Sequence, residues 1–147
     1  MKIMVLNGPN MNLLGIREPE IYGKESYPSL VEALTAYAAE KGVEADCRQS
    51  NHEGVLIDWV QEAYFSGYDG LILNPGGYTH TSIALADALR AVRLPAVEVH
   101  ISDTSRREEY RRISYVSEVC TETVSGEGTQ GYFHAVDILL ALLSGRA

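Results

Sequence analysis

"GLILNPGGYTHTS", residues 70–82, runs from an apolar segment through a tight turn into a hydroxyl-rich helix start. Gly70-Leu71-Ile72-Leu73 is short, branched and without polar alternation, which marks a strand buried on both faces. Asn74-Pro75-Gly76-Gly77 ends it. Thr79, Thr81 and Ser82 then offer side-chain acceptors to the first N–H groups of a helix over Thr81–Arg93, which stops ahead of Pro95. A strand that turns directly into a helix predicts a parallel α/β sheet, because parallel strands need covering crossovers.

The rest of the chain repeats this pattern. Ile3–Leu6 and Ala96–His100 are apolar runs of the same kind, Val43–Arg48 is a weaker alternating strand, and Ser114–Cys120 is expected as the fifth. Helical spacing covers Ser26–Lys41 before Gly42, Glu53–Ser66 before Gly67, and Tyr132–Leu143. The expected fold is a flavodoxin-like, doubly wound, five-stranded parallel sheet with helices on both faces, one domain over residues 1–147. Such sheets bind ligands beyond the carboxyl ends of their strands. The unusual residues follow strand ends here: Asn7 onward, Ser50-Asn51-His52, Asn74 to His80, and His100 onward. They are expected to converge on one site.

Composition narrows the partners. With 147 residues and a formal charge of −8, the chain has no basic stripe to release counterions from nucleic acid or an anionic membrane. Cys47 and Cys120 form no metal or redox spacing and read as reduced core thiols, which points to the cytoplasm. No apolar run approaches the ~18 residues of a membrane span. The glycine-rich phosphate motifs of dinucleotide and nucleoside triphosphate sites are missing, and no H-E-x-x-H or similar spacing supports a metal.

The candidate chemistry lies in four places. "LNGPNMNLLGIREPEIYG", residues 6–23, is a long aperiodic stretch in a small domain, a pattern more typical of a lid than of a connector. Within it, Arg17 beside Tyr22 would favour phenolate, since a guanidinium a few ångströms away lowers a phenol from near 10 by ~1–3 units. In "VEVHIS", Glu98 and His100 differ by two and share a side of the strand, so the carboxylate can orient the imidazole as a general acid. Asn74 and His80 flank the turn after the opening strand, with Asp87 on the following helix. In "SRREEYRRIS", helical spacing pairs Arg107 with Arg111 and Glu108 with Arg112, leaving one arginine to turn toward a ligand.

Taken together, "LNGPNMNLLGIREPEIYG", "RQSNHEG", "LNPGGYTHTS", "PAVEVHIS" and "EGTQGY" resemble type II 3-dehydroquinate dehydratase almost end to end. The resemblance implies a cofactor-free lyase of the shikimate and quinate routes, using neither metal nor Schiff base, that dehydrates 3-dehydroquinate by anti elimination through an enolate. It makes Tyr22 the base at C2, Arg17 its activator, and Asn10 the residue placing the group that meets the enolate oxygen. His100, oriented by Glu98, protonates the departing hydroxyl. Substrate binding falls on Asn74, His80, Ile101, Ser102 and Arg111, with Asp87 entering from a neighbouring subunit of a trimer-built dodecamer.

The chain departs from the family pattern after His100. Asp103, Ser105 and Arg106 stand where Asn, His and Ala are common, Ile113 where His is common, and Glu118 where Pro is common. Asp103 places negative charge beside the segment assigned to a carboxylate. Two other readings of the residues stay open: a lyase of the same scaffold acting on a related cyclic hydroxy-keto acid, and a non-catalytic flavodoxin-like module binding a flavin or phosphorylated ligand.

Overall fold

β1 (Lys2–Asn7) is apolar from Ile3 to Leu6 because it is covered from both sides. Ile3 and Val5 face one layer, Met4 and Leu6 the other, as the two-residue period of a strand requires. The structure, a computed structural model, describes residues 1–22 and 24–145; Gly23, which closes the long polar stretch, and residues 146–147 lie outside the described residues. β2 (Glu44–Gln49), β3 (Gly70–Asn74), β4 (Ala96–His100) and β5 (Glu122–Ser125) complete a parallel sheet of order β2-β1-β3-β4-β5. This is the doubly wound α/β sheet expected from the strand–turn–helix pattern.

After the short α1 (Pro19–Tyr22), four longer helices cover the sheet: α2 (Tyr27–Glu40), α3 (Glu53–Phe65), α4 (Ile83–Val92) and α5 (Gln130–Ser144). Leu30 and Leu34 of α2 pack with Tyr132, Val136 and Leu139 of α5 on one face; Leu56 and Val60 of α3 pack with Leu85 and Leu89 of α4 on the other. Each large side chain so buried contributes roughly 1.5–3 kcal/mol. Ser26 and Ser82 cap α2 and α4, accepting the N–H groups of Ser29 and Leu85 at 3.3 and 3.0 Å. Among the described residues no helix is long and apolar enough to cross a membrane.

Two expectations are corrected. Ser114–Cys120 is not the fifth strand: the chain there turns on Val116, whose carbonyl accepts the N–H groups of Val119 and Cys120, and Ser114 and Ser117 reach toward β4. The strand is Glu122–Ser125, short and at the edge, with only Val124 buried. The arginine-rich segment is not one helix either. It forms two single 3-10 turns, Thr104–Arg106 and Glu109–Arg111, with Arg107 extended between them. Glu108 therefore meets Arg107 and Arg111, at 3.5 and 2.9 Å, rather than Arg112.

The strand order reverses direction at β1, which ends in register with β3, Asn7 opposite Asn74. Their exits clasp each other. A Cβ on Gly8 would stand 2.4 Å from the Pro75 carbonyl oxygen, and one on Gly76, which has φ +60, would stand 3.1 Å from that of Pro9. Backbone meets backbone there, so a Gly8→Ala variant has no flexible side chain to push aside. It is expected to lose about 1–3 kcal/mol, read as a melting temperature lower by several degrees; an unchanged melting point would contradict the clasp.

Candidate active site

The cavity at this reversal, about 190 Å³, is lined by the exits of β1, β3 and β4 and by the long stretch after β1. Its floor is polar and fully bonded. The buried Tyr132 hydroxyl donates to Asn7 Oδ1 at 2.7 Å and accepts from Asn74 Nδ2 at 2.9 Å, while Asn74 Oδ1 accepts the Gly76 N–H at 3.1 Å. Burial pushes the Tyr132 phenol up, against the opposing Asn74 bond, so it remains a neutral donor. The Asn74 carboxamide borders the cavity, but both its ends are engaged in holding two strands and a turn together.

The stretch after β1 lies over this floor. Met11 and Leu14 are buried in the core and anchor it, and Gly15 (φ +88) packs against the Lys24 and Glu25 carbonyls. At its far end α1 brings Tyr22 into the cavity wall. Arg17 stacks on the Tyr22 ring, its guanidinium carbon 4.7 Å from the centroid. The guanidinium that reaches the phenol oxygen is a different one: Arg107 Nη1 donates to it at 3.1 Å and also to Ser102 Oγ at 3.3 Å. The Tyr22 hydroxyl, then, against partial burial, the Glu108 and Glu18 carboxylates, push the Arg107 guanidinium further up. The phenol thus has a charged donor aimed at its oxygen and a second cation on its ring face.

His100 borders the same cavity, and its Nε2 donates to Glu98 Oε2. A carboxylate accepts only, so this bond assigns the proton to Nε2 and leaves Nδ1 free for exchange with a ligand. Glu98 is fully buried and carries two more donors, Ser114 Oγ at 3.1 Å from both oxygens and Ser117 Oγ at 2.8 Å. Burial alone would raise its carboxyl; the His100 N–H and charge, then the Ser117 and Ser114 hydroxyls, outweigh it and hold the group below the usual carboxylate range.

Asn10, Arg17, Tyr22, Asn74, His80, His100, Ile101, Ser102 and Arg111 all border this one cavity. Glu98 stands behind His100. Asp87 is not brought in: it lies exposed on α4, bonded to Arg90 at 3.2 Å. His80 Nδ1 donates to the Ile113 carbonyl at 2.6 Å, which leaves Nε2 for a ligand. Arg111 Nε is buried 2.9 Å from Glu108 but off the axis of a hydrogen bond, so the contact is one of charge and the N–H remains unmatched. Asp103 does not turn toward the cavity chemistry: its Oδ1 accepts the N–H and hydroxyl of Ser105 at 3.0 and 2.6 Å, forming a closed turn. Sequence reasoning missed Arg107 at the phenol and the two serines on Glu98. Arg107-Glu108 matches the Arg-Glu that ends the family pattern, and that was the available signal. Among the described residues no three His, Cys, Asp or Glu side chains gather as a metal site would need.

The family model described as dehydroquinase class II matches residues 1–140. The 3-dehydroquinate dehydratase of Lachnoclostridium phytofermentans is 50% identical over 142 residues, 97% of this chain and 98% of that protein. That of Corynebacterium glutamicum is 52% identical over 141 residues, 96% and 97% of the two chains. The crystal structure of a type II dehydroquinase from Butyrivibrio crossotus superposes with a TM-score of 0.94 at 52% identity, covering 95% of this chain and 97% of the other.

The hydroxyls on Glu98 give a pH-dependent prediction. A carboxyl depressed in the folded state stabilises above its unfolded value, and that contribution fades as pH falls through the folded value. Ser117→Ala is therefore expected to lower the unfolding free energy by about 1–3 kcal/mol at pH 7, and by clearly less below about pH 4, in urea titrations. Equal losses at both would mean that Ser117 acts through packing alone.

Proposed function

We propose that this chain, which belongs to the class II dehydroquinase family, removes water from 3-dehydroquinate, giving 3-dehydroshikimate by anti elimination through an enolate, without a cofactor. The observation that carries the residue roles is a single cavity with a phenol held by a guanidinium on one wall and an imidazole held by a buried carboxylate on another. The Tyr22 phenolate takes the C2 proton. The C–H electron pair becomes the C2–C3 enolate, whose oxygen is met by the group that Asn10 places. When the enolate collapses, the C1–O bond breaks, the His100 imidazolium, which carries a proton on each nitrogen, gives up the Nδ1 proton while keeping the Nε2 proton on Glu98, and hydroxide leaves as water while C1=C2 forms. Tyr22 then gives its proton to solvent and His100 Nδ1 takes one back, which closes the cycle.

Proton removal beside a ketone is fast only where enolate charge is met by fixed donors, so base, acid and donors must be held together. Arg17 and Arg107 both face the base, one on its ring and one at its oxygen. The substrate carboxylate falls to Ile101 and Ser102, with Arg111 and His80, both on the cavity wall, beside it. Residues 1–147 act as one catalytic domain, in the cytoplasm, within trimers grouped into dodecamers. Asp87 supports the assembly, since it is exposed and outside its own cavity, available to a neighbouring subunit.

Metal-stripped protein mixed with 3-dehydroquinate should develop enone absorbance; none would refute the reading, and turnover only of a related hydroxy-keto acid would redirect it. Tyr22→Phe should reduce turnover by roughly 10²–10⁴-fold with little change in melting temperature, and near-normal turnover would remove Tyr22 as base. His100→Ala should lose water elimination while retaining exchange of the C2 proton with deuterated solvent. Equal loss of both would assign His100 another role.

A further inference from the structure

The "RQSNHEG" stretch, residues 48–54, supplies no side chain to the chemistry above, yet three strand exits meet on one of its residues. Asn51 Oδ1 accepts the backbone N–H of Asn10 at 3.0 Å and Gln49 Nε2 at 3.1 Å. The same Gln49 nitrogen donates to the Gly8 carbonyl at 3.2 Å, and Tyr78, from the turn after β3, donates its hydroxyl to the Asn51 carbonyl at 2.8 Å. Gln49, Asn51 and Tyr78 do not border the cavity; Asn10 does.

Asn10 has a left-handed backbone, φ 71 and ψ −2, and its side chain makes no capping bond to the turn that follows. Left-handed geometry is unfavourable for an L-residue, and Asn tolerates it better than most. Something outside the loop has to hold that conformation while the carboxamide stays available to the cavity. The Asn51 amide is itself oriented, because two N–H donors converge on Oδ1 and only an oxygen can accept both.

Resting on the reading that Asn10 serves the enolate oxygen, we propose that Asn51 is a positioning residue for the dehydration. Its Oδ1 fixes the main chain of Asn10 in the left-handed form, and so fixes the direction in which the Asn10 carboxamide meets the reacting group. Gln49 holds the Asn51 amide in the orientation this requires, and Tyr78 ties the arrangement to the exit of β3. An error of about 1 Å in such a group costs roughly 10²-fold in rate, so a residue that never touches substrate can still govern kcat.

The test is a double-mutant cycle. Asn51→Leu removes the acceptor at similar size, Asn51→Asp keeps an oxygen in its place, and Asn10→Gly removes the carboxamide while allowing the left-handed backbone. Asn51→Leu is expected to lower kcat for 3-dehydroquinate roughly tenfold or more with KM little changed, and Asn51→Asp to recover most of that loss. In the Asn10→Gly background, Asn51→Leu is expected to lower kcat no further, since residues acting through one another are not additive. Multiplied losses in the double variant, or a fully active Asn51→Leu, would overturn the role. Should Asn51→Leu fail to fold, Gln49→Leu, which frees the Asn51 amide without replacing it, must show the same non-additivity with Asn10→Gly or the role falls. A parent protein that forms no enone refutes the functional reading itself, whereas an active parent with multiplied losses refutes only Asn51.

Discussion

The hydroxyl of Tyr132 lies between the asparagines that end two neighbouring strands, and the site is assembled around it. A parallel sheet leaves unpaired polar groups where its strands stop, and buried polar groups left unmatched cost about 1–3 kcal/mol each. Here Tyr132 answers one asparagine as donor and the other as acceptor. Asn74 passes the constraint on by accepting the Gly76 N–H, and the glycine–proline clasp then leaves the exits of β1 and β3 with one way to lie together. Everything above that floor is placed relative to it, including the backbone of Asn10.

Charge is arranged against the overall balance of the chain. At −8 the protein as a whole repels an anionic ligand, but Arg17, Arg107 and Arg111 all line the cavity. The buried negative charge of Glu98 is separated from that space by the His100 ring and matched by three donors. Asp103, the added acid near the carboxylate segment, is closed into its own turn by Ser105. Asp103 and Ser105 thus answer each other, the carboxylate being occupied by the hydroxyl and N–H two residues on.

The strands of the sheet's middle could be read from the sequence because burial on both faces forces continuous apolar runs, as in Ile3–Leu6 and Gly70–Leu73. β5 was displaced in that reading because an edge strand with only Val124 buried carries almost no pattern, while Ser114–Cys120, with Val116, Val119 and Cys120, is the more apolar segment. Its serines serve Glu98, a contact set by tertiary packing and invisible to any local period. Arg107 was hidden for a related reason. Reading residues 105–112 at helical spacing assigns it to a solvated face, whereas the two short turns leave it extended, and its ψ of −174 carries the chain into a different course. That Asn10, Arg17, Tyr22 and His100 would meet at one cavity was legible because each follows a strand end on the same side of the sheet.

The stretch after β1 is anchored at one end and lightly packed at the other. Its root is fixed by Met11 and Leu14 in the core and by the bonds to Asn51, whereas Ile16, 76% exposed, and the single-turn α1 have little packing of their own. Tyr22 is therefore positioned less by its own stretch than by what it meets. Arg107 donates from one nitrogen to both the Tyr22 oxygen and Ser102 Oγ, so the phenol and the segment after β4 share a single guanidinium. A ligand that orders Ser102 also orders the donor that locates the phenol. Binding energy spent at one end of that arrangement is in this way available to set the geometry at the other.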